Sequence, residues 1–420
     1  MELIRLIIEW TKYLARCVRE FMVRTAGNVA VFVKNIVGNK HFKHYGPLAI
    51  LMLVAVLTLV TCVAGQPKAP DPEPEPPVET EDSPPPEPPS PPPPPSPSPE
   101  PDPEPEPDPE PDTGFTNPLT GLQTEEDISS RRPLAISVNN HRQAMPQIGI
   151  SQADIIHEYL VEGEITRMLA LFQDITDVGV IGSVRSARHY SVDIVQSYDA
   201  IFLFAGGSEQ AYAALRSRNI TRCDGVEGPH PEIFYRDPNR SHLSSEHTLV
   251  TSSERIALHF PDYGFEEEHE EGYECALSFA EDGTPEGGEQ ALEFIVKFGP
   301  SSKTTGFSFD EETGLYKLRQ YGGDYIDSGN NEQVSATNVL ILKMATSGIP
   351  GDREGRLNIT TTGNGEGYYV NGGAFVDILW SRESESAQFG YTLTDGTELV
   401  LGRGKTYICL IRTNGSVDFA

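Results

Sequence analysis

Residues 153–172 read ADIIHEYLVEGEITRMLALF, two apolar runs around a short polar turn. Ile155 to Val161 and Arg167 to Phe172 are each too short for a helix and are parted by Glu162 and Gly163, so the stretch predicts a β-hairpin. Side chains alternate across a strand, so Asp154, Glu158 and Glu162 would share one face, with Arg167 returning beside them on the neighbouring strand. That is an acid, a base and a charge partner in one place. The bland alternative is a buried arginine–carboxylate network that ties the hairpin to its surroundings.

Working outward, Leu134 to Val138 is a further strand ending at Asn139 and Asn140. Ser186 to Ser197 carries helical spacing, and Ala200 to Ala205 reads as a buried strand closed by Gly206 and Gly207. Ser208 to Arg218 opens on a capping serine and runs as a helix, and Ser252 to His259 is another. Residues 115–275 are therefore expected to form a mixed α/β N-terminal domain. From Ala291 the pattern turns strand-like: Leu292 to Phe298, Thr305 to Phe309, Leu315 to Tyr321, Asn338 to Met344, Leu357 to Thr361, Tyr368 to Val370, Phe375 to Trp380, Thr397 to Leu401 and Tyr407 to Ile411. Residues 289–416 are thus expected to be a β-rich C-terminal domain, either separate or completing one sheet with the first part. The expected class is α+β.

Of the 35 prolines, 24 fall between Pro67 and Pro111. Residues 66–114 predict a disordered acidic spacer, because proline restricts φ, like charges repel and there is no apolar surface to bury. Before it, residues 46–65 carry no charge and are long enough to cross a bilayer core. Residues 1–45 hold a net charge of +5 and an apolar stripe through Leu3, Ile7, Trp10, Leu14, Cys17 and Phe21, the pattern of a basic amphipathic segment on a membrane surface. The charge asymmetry around the span puts the bulk of the chain outside the cell. Leu59, Val60, Thr61 and Cys62 form a degenerate lipobox, so the anchor is either a retained helix or a lipid on Cys62.

The formal charge of −30 over 420 residues argues against a nucleic-acid partner, since phosphates must be neutralised by focused basic groups. No lysine occurs between Lys68 and Lys297, whereas 12 arginines occur from Arg131 to Arg255. A guanidinium grips carboxylate or phosphate in two places, so the clusters among these arginines are candidate anion sites. Gly182, Ser183, Val184, Arg185, Ser186, Ala187 and Arg188 put two guanidiniums one turn apart at the expected start of a helix. Arg236 and Asp237, with Arg240, His242 and His247, form another cluster in which His247 is a candidate acid or base. Gly206, Gly207 and Ser208 suit a helix cap better than an anion seat. No catalytic-serine elbow, zinc helix or lysine-bearing phosphate loop is present, and neither a metal nor a cofactor is expected. Cys223, Cys275 and Cys409 are expected to be free.

Several of these stretches together resemble the YerB-like bacterial lipoproteins. They are Asn117 to Leu122, Arg132 to Ala135 with Val138 to Asn140, Ser151 to Ile155 with Glu158, Val161 to Gly163, and Ile165 to Arg167. Gly182 with Val184 to Arg188, Tyr198 to Ala200, Gly206 to Ser208, and Arg236 with Asp237 continue the series. Thr362, Gly363, Gly365, Gly372, Trp380, Gly404 and Lys405 are similar to that family's C-terminal domain. The resemblance implies a two-part α and β protein outside the membrane, usually lipid-anchored, and no activity. Glu246, His247 and Thr248 stand where the family pattern has Pro-His-Asn, and the long amino-terminal extension is also a departure.

Two functions follow as expectations. One is binding of a cell-envelope ligand, such as an anionic wall polymer or an envelope protein, through Asp154, Arg167, Arg185, Ser186, Arg188, Arg236 and Asp237. The other is an envelope-polymer hydrolase or transferase using Glu158 or Glu162 with Arg167, Arg185 and Arg188.

Overall fold

The computed structural model describes residues 114–420; the amphipathic segment, the apolar span with Cys62 and most of the proline-rich spacer lie outside the described residues. Three strands begin the central sheet: β1 (Leu134–Asn139), β2 (Ile155–Leu160) and β3 (Thr166–Phe172). β3 pairs antiparallel to both of the others, with Tyr159 and Asn139 facing Arg167 from either side. Every residue of these strands is buried, so the sheet is covered on both faces here.

The hairpin lies in the middle of one eleven-stranded sheet that draws on both halves of the chain. On one side, β1 is followed by Ile201–Phe204 and Arg222–Asp224, paired in parallel. On the other, β2 pairs in parallel with Thr406–Arg412, near the carboxyl end, which pairs in parallel with Asn338–Met344. Gly363–Asn371 and Ala374–Arg382 continue outward. The β-rich half thus completes the sheet of the first half, the second of the two arrangements its pattern allowed.

Alternation along the strands divides the core. Leu134, Ile136, Ile156, Met168 and Ala170 face a layer in which Phe294, Phe307, Tyr316 and Leu318 of a six-stranded sheet pack. Ile155, Tyr159, Leu169 and Leu171 face Tyr190, Ile194, Val195 and Leu215 of α1 (His189–Ser197) and α2 (Glu209–Ser217). A third helix, α3 (Ser253–Tyr263), is capped by Ser252 and buries Ile256 and Phe260 on the first side. The architecture is α+β, with more strand than helix. Among the described residues no helix is long and apolar enough to cross a membrane.

Two local expectations are corrected. Thr397 to Leu401 is not a continuous strand; Glu398 makes an isolated bridge to Thr392, and Leu401–Gly402 pairs with Phe279–Ala280. The helix expected from Ser186 begins at His189, because Val184 and Ala187 are drawn into β-bridges with Val138 and Gly207. Cys223, Cys275 and Cys409 are free thiols.

Candidate functional site

Glu158 lies at the centre of β2, fully buried on the face of Ile156 and Leu160. Five donors converge on its carboxylate. Asn140 Nδ2 is 2.9 Å from Oε1, Thr305 Oγ1 and Tyr407 Oη are each 2.7 Å from Oε2, and Thr166 Oγ1 and Lys303 Nζ complete the set. Burial pushes this carboxyl up, but the Lys303 ammonium and the hydrogen bonds outweigh it and hold it below the usual range. Lys303, Thr305 and Tyr407 come from the second half of the chain, so Glu158 acts as a strut between the halves, sealed from solvent.

Asp154 and Glu162 do not share its face. β2 runs only from Ile155 to Leu160, so the flanking carboxylates lie on loops where strand alternation no longer holds. Asp154 accepts from Asn117 Nδ2 at 3.0 Å and from the Gln173 backbone N–H at 2.7 Å, and burial pushes its carboxyl up to about 6. Glu162 sits in the turn made by Gly163 at φ 73° and forms a two-pronged pair with Arg188. Burial pushes Glu162 up, but Arg188 and then Arg167 more than reverse it. Arg167 is buried beside them, donates to the Ser186 carbonyl at 2.6 Å, and is brought down to about 10 by burial and the Arg188 charge.

Arg185 and Arg188 were expected on one helical face; the structure separates them. Ser183 to Arg188 lies extended across the ends of β1 and the Ile201–Phe204 strand: Arg185 N–H donates to the Ser137 carbonyl, and Ala205 and Ala187 N–H donate to Arg185 and Gly206. Side chains three apart on extended chain diverge. Arg188 therefore joins Glu162, whereas Arg185 reaches Glu246, with Nη2 3.0 Å from Oε2 and Nη1 3.3 Å from the Glu246 carbonyl. Gly182 opens this segment at φ 154°, and a Cβ there would stand 2.9 Å from Val250 Cγ1. Ser186 contributes its backbone carbonyl to Arg167.

Arg236 converges on the same place as Arg185. Its Nη1 donates to the Ser245 carbonyl and, at 3.2 Å, to Thr248 Oγ1. Asp237 caps its own loop through Asn239 N–H at 2.8 Å. Arg240 is buried and spends its donors on the His247, Pro146 and Ala144 carbonyls, fixing the Ser245–His247 turn. Within that turn His247 is 2% exposed, and its Nδ1 is 2.9 Å from Asn139 Nδ2. Asn139 Oδ1 accepts the His141 N–H at 3.0 Å, which fixes the amide with its NH2 toward His247. The imidazole nitrogen facing Asn139 is then an acceptor and the proton sits on Nε2. Burial keeps the ring neutral by pulling it below its ordinary range; Glu246 opposes this and Arg185 adds to it.

His247 Nε2 has no hydrogen-bond partner, and neither do the buried Ser183 Oγ and Arg185 Nε. A buried donor without a partner costs about 1–3 kcal/mol, which an incoming acceptor would recover. Glu246 Oε1 stands 3.8 Å from His247 Nε2. Sequence reasoning singled out Arg185, Arg236 and His247 but missed Asn139, His141 and Glu246 as parts of one cluster. The Glu246-His247 pair was the available signal.

Gly206, Gly207 and Ser208 serve local structure. Ser208 Oγ caps α2 at Ala211, and buried Asp224 accepts the Gly206 N–H at 2.8 Å. Among the described residues no three His, Cys, Asp or Glu side chains are placed to hold a metal ion.

A sheet shared by two chain halves, with an arginine–histidine rim on the first, defines a two-part α+β protein. Residues 119–266 match the N-terminal domain, and residues 294–408 the C-terminal domain, of the protein family of unknown function DUF3048. YerB of Bacillus subtilis strain 168, whose name provisionally calls it a lipoprotein, is 30% identical over 296 residues, 70% of this chain and 85% of YerB. The crystal structure of Bacillus subtilis YerB matches with a TM-score of 0.63 at 28% identity, covering 72% of this chain and 99% of that one. The chain belongs to the YerB-like DUF3048 family.

Proposed function

We propose that the chain is a membrane-tethered envelope protein that binds an anionic cell-envelope ligand at the rim formed by Arg185, Arg236 and His247. The lipoprotein name of YerB supports the tether. A proline-rich spacer over residues 66–114 would then carry the folded part away from the membrane, behind a retained helix or a lipid on Cys62. The observation that carries the binding reading is the convergence of two partly exposed guanidiniums on one turn, beside a buried imidazole whose N–H is unused. The acid–base reading draws less support: Glu158 is engaged by five donors and Glu162 by Arg188, so neither is poised to exchange a proton with a substrate.

The test is the melting temperature of the full-length protein in detergent against inorganic pyrophosphate, a polyprenyl pyrophosphate analogue, teichoic-acid fragments and muropeptides. Binding to the native state raises it. A saturable rise with one of these, abolished by Arg185→Ala, is the expected result. No rise with any, or a rise indifferent to Arg185, overturns the reading.

A further inference from the structure

Glu246 is half exposed, yet it holds a position that an external anion would find attractive. One carboxylate oxygen lies 3.0 Å from Arg185 Nη2, and the other is turned to His247 Nε2 at 3.8 Å, too far for a hydrogen bond. The fit is thus incomplete: the two terminal nitrogens of the guanidinium are engaged, but the imidazole N–H is not. Arg236 donates to the Ser245 carbonyl of the same turn, and Arg185 Nε stays unpartnered. Asn139 donates its backbone N–H to the Ser183 carbonyl at 2.8 Å and its side-chain amide to His247.

We infer that Glu246 is a built-in competitor that covers a site for a diphosphate-class oxyanion. This rests on the anion-binding reading above and adds to it the ligand class and the covering group. A planar carboxylate with two oxygens and one charge meets the guanidinium but leaves the other donors empty. A diphosphate carries more charge and more acceptor oxygens, arranged tetrahedrally, so it can meet Arg185 and His247 Nε2 together. Displacement is feasible because a partly exposed ion pair such as Arg185–Glu246 is weak. Once displaced, the Glu246 side chain has open solvent to enter. The covering carboxylate also excludes singly charged anions, which gain no more than Glu246 already provides.

Isothermal titration of the full-length protein with inorganic pyrophosphate tests this in wild type, Glu246→Gln and Arg185→Lys, with folding checked by circular dichroism. The expected result is binding about fivefold tighter in E246Q, the scale of one exposed ion pair, and weaker in R185K, which keeps the charge but not the fork. Equal or weaker binding in E246Q, with R185K still impaired, overturns the competitor and leaves the anion site standing. Absence of pyrophosphate binding in both wild type and E246Q overturns the diphosphate class; if the anion panel above is also silent, the binding reading falls with it. Farnesyl pyrophosphate binding more tightly than inorganic pyrophosphate assigns a lipid-borne ligand, and equal binding a soluble one.

Discussion

Replacing Lys303 by methionine isolates the most consequential buried charge in the fold. The ammonium of Lys303 is 4% exposed and Glu158 is fully buried, so the variant leaves a carboxylate in the core without its counter-ion. Breaking a buried pair in this way costs about 3–5 kcal/mol. Asn140, Thr166, Thr305 and Tyr407 continue to donate to Glu158, which places the loss near the lower end, about 3 kcal/mol, or roughly 5 °C in melting temperature for a domain of this size. In the wild type the folded-state carboxyl lies below its unfolded value, so its contribution to stability is present at neutral pH and is lost as acid protonates it. Without Lys303, burial raises the same carboxyl above its unfolded value, and the contribution changes sign: K303M should be closest to wild type in mild acid and fall behind as the pH rises. Urea unfolding at pH 5 and at pH 7.5 measures both effects. A loss below about 1 kcal/mol, or a deficit that does not grow with pH, would refute the account of Glu158 as a strut held by Lys303.

Two further outcomes are expected. Asp154 should titrate in the folded protein with a midpoint near 6, read from its side-chain carboxyl carbon shift by NMR. Because its folded-state value is raised, its contribution to stability is present in acid and is lost as the pH climbs through that midpoint; a midpoint below 4 removes the claim. Residues 113–420 carry a net charge of −22, so the melting temperature should rise as sodium chloride goes from millimolar to molar levels, and a flat or falling curve would show that self-repulsion is not a significant burden.

The central strands were legible because each is a local apolar run bounded by polar residues. Asn338–Met344 falls where its pattern put it, and the hairpin strands shift by a residue at one end each. What local pattern could not carry was the pairing of Thr406–Arg412 between β2 and Asn338–Met344, a contact across more than half the folded chain. Strands of two or three residues, such as Arg222–Asp224 and Tyr235–Arg236, have no periodicity to read. The site was legible in its residue types and not in its geometry. The even spacing of Asp154, Glu158 and Glu162 was real, but it spans a strand and two loops. Ser186 has the chemistry of a helix cap, and the bridges to Val138 and Gly207 override it.

The interlocked sheet changes what a site confined to one family domain means. Asn139, His141, Ser183, Arg185, Arg236, Glu246 and His247 all fall within residues 119–266. Their placement nevertheless depends on the second half. Tyr321 donates to the Asn140 carbonyl at 2.5 Å, next to the asparagine that orients His247. Ser328 donates to Gln147, whose own side chain donates to the Asn139 carbonyl at 2.7 Å. Asp327 accepts from the Gly149 and Ser151 N–H groups at 2.8 Å and fixes the loop that returns from β1 to β2. Lys303 meanwhile holds Glu158, which accepts from Asn140. The second half thus grips Asn140 and the loop that follows it without supplying any group to the rim itself. Movement at that seam would therefore be felt at Asn139, and through its amide at the His247 N–H that faces Glu246.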